Sequence, residues 1–296
     1  MNILFSQFLL KISLDYLLYF RYLDIIVFKM NFINKKYNNL HDVAVNYFDE
    51  YVSAKPFPHI VLDNFFNEDI LEDVLNEFPK NLDKVGVNSE SDPQKFKFYL
   101  NDSSKFGEKT KTFFNFTNSF EFLNFINKIT GIKELLISDP YFQGGGLHEL
   151  KNNGYLNVHS DFNKHQIMGL DRRINALVYL NHDWKPEYGG SLELWDKNMT
   201  KCIKKITPIF NRMVIFDTTD FSFHGNPESI NHPNNISRKS IALYYYSNGR
   251  PKEEIIEYRD TPKWKDRPNT KDSSEKITVF KKIFWKIFYK TKEDLK

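Results

Sequence analysis

The sequence is short of cysteine: Cys202 is the only one among 296 residues. A single thiol excludes an internal disulfide framework, an all-thiolate zinc site and an iron–sulfur cluster, and it suits a reducing compartment such as the cytoplasm. No neighbouring base in the sequence would activate Cys202, so it reads as inert. Net charge is scant too. With 41 basic and 38 acidic residues the formal balance is +3, too small for a global field suited to nucleic acid, and no nucleic-acid partner is expected. Long apolar runs are also missing. The first 30 residues are rich in Leu, Ile and Phe, but Lys11, Asp15, Arg21 and Asp24 interrupt them. No stretch reaches the roughly 18 apolar residues that would suggest a membrane span. A signal peptide would need one apolar block and a small-residue cleavage site, and neither is present. Met30 is an alternative start, which would make residues 1–29 an upstream extension. There is no internal repeat. The run Gly144, Gly145, Gly146 lacks the Lys-Ser/Thr of a phosphate loop and reads as a bend.

Apolar residues make up 41% of the chain, enough for one large domain with a full core. Four zones are expected: a lead-in over 1–54, a helical support region over 55–138, a β-rich core over 139–247 and a C-terminal tail over 248–296. In the second zone HIVLDNFF reads as a strand entering a turn. Asn67 then caps a helix with Glu68 and Asp69 in its first turn and Pro79 at its close. A second helix starts at Ser119 and stops at Gly131, and the charged interval from Lys80 to Lys111 reads as a long loop. In the third zone the pattern changes to about eight short strand candidates: GGLHEL, GYLNVHSD, RINALVYLN, GSLELW, ITPI, RMVIFDT, FSFHG and RKSIALYYYS. With no helix between them they predict an antiparallel double-sheet jelly roll rather than a βαβ fold. The tail ends in Phe280, Ile283, Phe284, Ile287 and Phe288 at helical spacing among lysines. This basic amphipathic helix is expected to dock on the barrel; contact with a membrane surface or partner is the competing use.

Chemistry enters at GYLNVHSD. Positions i and i+2 of a strand project from one face, so His159 and Asp161 can bind one ion while Ser160 points away. His224, in FSFHG, lies 65 residues further on. Two imidazoles and one carboxylate on one face of an octahedral ion leave three adjacent positions open, which suits non-haem iron(II) binding a bidentate cosubstrate and dioxygen. Arg238 and Ser240 are again i and i+2 on a strand. A buried arginine needs an anion, and the far carboxylate of a chelating dicarboxylate would match its planar fork.

The order His159-x-Asp161, His224, Arg238-x-Ser240 resembles the 2-oxoglutarate- and iron(II)-dependent dioxygenase superfamily. The intervening YLNHDWKPEYGGSLELW makes it more similar to the prolyl-4-hydroxylase-like branch. The resemblance implies a mainly β fold with flanking helices, in which a double-stranded β-helix core stands on N-terminal supporting helices. It implies iron ligation by His159, Asp161 and His224, and a 2-oxoglutarate carboxylate bound by Arg238 with Ser240 and Tyr179 beside it. The implied cofactors are Fe(II), 2-oxoglutarate and O2, with ascorbate as reductant. The implied reaction is hydroxylation of an unactivated C–H bond, on a prolyl residue of a protein or peptide. The alternatives are the same chemistry on a small molecule or sugar, or a non-catalytic cupin-like jelly roll binding metal or carbohydrate.

Overall fold

The computed structural model describes residues 32–270, apart from 38, 90 and 92, together with Asp272. Both the Met30 start and the amphipathic stripe of Phe280–Phe288 lie outside the described residues. Among the described residues twelve strands join in one curled sheet. They are β1 (His59–Asp63), β2 (Val87–Asn88), β3 (Gln94–Leu100), β4 (Ile137–Ser138), β5 (Gly146–Ser160) and β6 (Asp171–Tyr179). They continue as β7 (Leu192–Trp195), β8 (Cys202–Ile206), β9 (Arg212–Asp217), β10 (His224–Asn226), β11 (Arg238–Ser247) and β12 (Lys263–Trp264). The order β1-β9-β6-β11-β5 continues through β10 to β7 and β8, and all these pairings are antiparallel. The sheet folds over on itself, because Leu192 and Leu194 of β7 and Ile206 of β8 pack against Tyr179, Val214 and Phe216. This is the double-stranded β-helix.

The middle of the larger layer is buried on both faces, and alternation divides the work. On β11, Ile241, Leu243 and Tyr245 point outward into a core shared with Ile174, Ala176 and Val178 of β6. Arg238, Ser240 and Tyr244 point inward and line a cavity together with Asn175 and Leu177 of β6. One period-2 strand thus carries a packing face and a chemical face.

Five α-helices complete the described fold: α1 (Leu40–Ser53), α2 (Glu68–Glu77), α3 (Leu82–Val85), α4 (Glu108–Thr117) and α5 (Phe120–Thr130). Asn67 caps α2 by accepting from the Asp69 N–H at 3.0 Å, Ser119 caps α5, and Gly131 ends α5 at φ 69°, where a side chain would be strained. Phe113, Phe122 and Phe125 bring these helices onto the outer face of the sheet, and the Tyr245 hydroxyl donates to the Thr117 carbonyl at 3.0 Å.

Three local expectations change. ITPI is not a strand: β8 ends at its first residue, Ile206. GGLHEL and GYLNVHSD are one strand, β5, which continues through Asn153 in a left-handed conformation (φ 62°). Its first half pairs with β11 and its last residues with β10. The interval Lys80–Lys111 is not a loop: it holds α3, β2, β3 and the start of α4, so the segment read as helical support also adds strands to the sheet. In QKFKFYL the alternation holds from Lys97 to Leu100, but the two lysines give the segment the look of solvated chain.

Candidate metal and carboxylate site

Strand pairing builds the first part of the site. His159 on β5 and His224 on β10 are Cα partners, with ring centroids 4.7 Å apart. Asp161 follows one residue after β5 ends. Its Oδ1 lies 3.6 Å from His159 Nε2 and its Oδ2 3.4 Å from His224 Nε2. The ligand atoms of the three all fall within 4.8 Å of one another. Each imidazole is fixed from behind: Nδ1 of His159 lies 2.9 Å from the Asn157 carbonyl, and Nδ1 of His224 lies 2.9 Å from the Ser222 carbonyl. A carbonyl only accepts, so both Nδ1 atoms carry a hydrogen and both Nε2 atoms are turned toward Asp161. Burial pushes the His224 pKa down to about 4, which keeps that ring neutral. Two imidazoles and a carboxylate converging this way fit a divalent ion of the iron class.

Asp161 has its own support. Burial works to raise its pKa, but its charged and polar surroundings, the Arg172 guanidinium foremost, outweigh burial and hold the carboxyl well below its ordinary range. Arg172 approaches Oδ2 at 3.2 Å, and Asn175 Nδ2 donates to the same oxygen at 2.7 Å. Arg172 in turn donates from Nε to Asn175 Oδ1 at 3.1 Å, with its guanidinium 3.5 Å from the Tyr244 ring centroid and 4.3 Å from that of Phe162. On the other side Trp264 of β12 stands 4.9 Å from the His159 ring.

Across the cavity lies Arg238, on the first residue of β11. Its Nε donates to the Gly190 carbonyl at 2.8 Å, and its guanidinium carbon is 4.9 Å from the Tyr179 ring centroid. A Cβ on Gly190 would meet Arg238 Cδ at 3.1 Å, and Gly190 sits at φ 67°, so glycine is needed there twice over. Among the described residues Arg238 has no carboxylate partner, and the Tyr179 hydroxyl is buried without a hydrogen bond. A guanidinium without an acid and a phenol without an acceptor, side by side, are a donor set for a carboxylate. Ser240 lines the same cavity, whose empty space is about 620 Å³ including its open mouth.

The structure therefore brings together His159, Asp161 and His224, and sets Arg238, Ser240 and Tyr179 opposite them. Sequence reasoning missed Lys97, Arg172 and Asn175; His148 also lines the cavity, from β5. Asn175 had a readable signal, a lone amide inside the apolar strand RINALVYL. Glu193 and Trp195 do not line the cavity: Trp195 Nε1 donates to Glu193 Oε2 at 2.9 Å, and the indole packs on Val158 and Phe223. Burial pushes the Cys202 thiol up to about 11, in keeping with an inert cysteine.

Residues 145–246 match the family model described as the 2OG-Fe(II) oxygenase superfamily. A prolyl 3-hydroxylase of Mus musculus is 32% identical over 79 residues, 25% of this chain and 14% of that protein; the match thus spans about a seventh of the relative. The fold is similar to a Trichoplax adhaerens prolyl hydroxylase solved with a hypoxia-inducible-factor peptide. The TM-score is 0.51 at 19% identity, covering 70% of this chain and 90% of that one. A Phytophthora capsici prolyl 4-hydroxylase structure aligns with TM-score 0.48 at 18% identity, over 70% of this chain and 64% of that one.

Proposed function

We propose that this chain is a 2OG-Fe(II) oxygenase similar to the prolyl hydroxylases and that it hydroxylates a prolyl residue of a protein or peptide, converting 2-oxoglutarate and O2 to succinate and CO2. The observation that carries the reading is the pair of facing half-sites. On one side are three ligands with both imidazole rings held from behind; on the other is a buried arginine that pairs with no described acid. Fe(II) held by His159, Asp161 and His224 would supply dioxygen activation, with ascorbate keeping it reduced.

The chain's own residues do the rest. Asn175 and Arg172 hold Asp161 ionised and oriented, and the carbonyls of Asn157 and Ser222 hold both rings. Arg238, with the Tyr179 hydroxyl, would take the far carboxylate of 2-oxoglutarate and set its distance from the metal ligands. The prolyl assignment rests on the mouse relative, named as a prolyl 3-hydroxylase. A reducing compartment such as the cytoplasm suits a chain whose one cysteine is inert; no described helix is long and apolar enough to cross a membrane.

The test is succinate formation from 2-oxoglutarate under air with Fe(II) and ascorbate, followed by a prolyl peptide array. Wild-type protein should produce succinate and Asp161→Asn should not. Absence of succinate from wild-type protein would sink the reading, and succinate without any hydroxylated peptide would redirect it to a small-molecule substrate.

A further inference from the structure

The sixteen residues lining the cavity include one from outside the matched segment 145–246, Lys97 of β3. Its placement follows from register. Leu150 of β5 is the Cα partner of Arg238 on one side and of Lys97 on the other. Directly opposed residues in antiparallel strands share a face, so Lys97, Leu150 and Arg238 form one inward row. With strands about 4.8 Å apart, the Lys97 and Arg238 backbones are roughly 10 Å apart, and both side chains enter the same space. The next row, Tyr99, His148, Ser240 and Tyr179, flanks it.

Lys97 and Arg238 share a second property. Among the described residues the Lys97 ammonium makes no hydrogen bond or ion pair, and the charged groups that act on it are Asp161, Arg172 and Arg238. Asp161 is already matched by Arg172 at 3.2 Å. Glu149 also lines the cavity, but it accepts from Ser237 at 2.6 Å and interacts with Lys239 on the other face of β5. His148 is neutral, because burial pushes its pKa down to about 3. Among the described residues the cavity therefore holds two cations without an ion pair, and desolvated cations without an anion are unfavourable.

We propose that Lys97 is a second carboxylate-binding group of this cavity: with Arg238 engaged by one carboxylate, the Lys97 ammonium takes another. This rests on the oxygenase reading above and adds a residue to it. The carboxylate comes either from the cosubstrate, at its metal-proximal end, or from an acidic group next to the target residue of the primary substrate.

The experiment is calorimetric titration of the Mn(II)-loaded protein, which needs no turnover. 2-Oxoglutarate is titrated into wild type, Lys97→Met, Lys97→Arg and Arg238→Met. Acetyl-Asp-Pro-amide and acetyl-Asn-Pro-amide are then titrated into 2-oxoglutarate-saturated wild type, Lys97→Met and Lys97→Arg. Losing one charge-assisted hydrogen bond should weaken the carboxylate that Lys97 binds by about 10- to 100-fold, and Lys97→Arg should recover most of it. A loss for 2-oxoglutarate assigns the cosubstrate. A loss confined to the Asp peptide assigns an acidic substrate. Lys97→Met that binds 2-oxoglutarate as wild type does, and shows no loss specific to the Asp peptide, overturns the proposal. Wild type that fails to bind 2-oxoglutarate, or Arg238→Met that binds it undiminished, breaks the underlying functional reading instead. Thermal melts separate these from misfolding, since removing an uncompensated cation should leave the ligand-free Tm unchanged or higher.

Discussion

Arg173 on β6 and Arg238 on β11 are 5% and 6% exposed, so burial does not distinguish them; their company does. Arg173 reaches Glu134 at 2.8 Å and Glu254 at 3.4 Å, and donates to Ser247. The other described arginines are paired in the same way: Arg172 with Asp161, Arg212 with Asp63, Arg250 with Glu254, Arg259 with Asp220 and Arg267 with Asp272. Arg238 alone among them has no carboxylate. A buried cation with its anion supplied by the chain holds structure together. One without is an incomplete site, and the missing half has to arrive from solution.

Four measurements press on that contrast. The largest effect is expected at Asp161, the acid that serves both a structural arginine and the metal. Asp161→Asn should abolish succinate formation and also lower the Tm, because Arg172 then joins the unpaired class; retained turnover would remove Asp161 from the ligand set. Next comes the direct exchange of roles. Arg238→Gln should weaken 2-oxoglutarate by about 100-fold without loss of stability, whereas Arg173→Gln should leave 2-oxoglutarate affinity alone and cost about 2 kcal/mol. That cost is smaller than for a fully buried pair, since the side chains of Glu134 and Glu254 are 33% and 25% exposed. If both substitutions moved binding and stability alike, the distinction would fail. Third, Asn175→Ala removes the 2.7 Å hydrogen bond that orients Asp161 and should reduce metal affinity by about 10-fold, read by titration with Mn(II).

The smallest effect is a pH dependence near the paired arginines. Burial pushes Asp217 up to about 7, although its hydrogen bond with Tyr51 and the charges of Arg173 and Arg250 act to lower it, while Glu254 raises it further. An acid whose folded pKa is raised contributes stability below its ordinary value of 3.8, and that contribution is lost as pH rises through about 7. Wild type should therefore lose Tm relative to Asp217→Asn between pH 4 and 7, by a few degrees. A Tm difference that stays constant over that window would mean Asp217 is ionised in the folded protein.

The parts of the site carried by short sequence patterns were legible: His159-x-Asp161 and Arg238-x-Ser240 announce themselves by i, i+2 spacing. Their support was harder to see because it comes from pairing. Nothing near Lys97 in sequence points to Arg238; only the shared partner Leu150 puts them on one face. Arg172 and Asn175 meet Asp161 through a turn, and the charged residues of 80–111 give β3 the composition of a loop. The caps Asn67 and Ser119 were visible because capping is local. Fusion of two strands into β5 was not, since Asn153 and Gly154 look like a turn until both flanks are held by partners.

The two-sided burial of β11 also bears on how such a chain can change length. Ile241, Leu243 and Tyr245 of that strand belong to the aromatic core, and Arg238, Ser240 and Tyr244 to the cavity. One residue inserted within the strand would turn part of it over, exposing Ile241 to the cavity or driving Ser240 toward the phenylalanines of α4 and α5. The segment 227–237 just before it carries no strand or helix, so additions there reach β11 without altering which way Arg238 faces. Drift in length therefore has a permitted place a few residues from a forbidden one, and descendants of this sequence would be expected to differ in the size of that loop long before they differ in the number of residues between Arg238 and Tyr245.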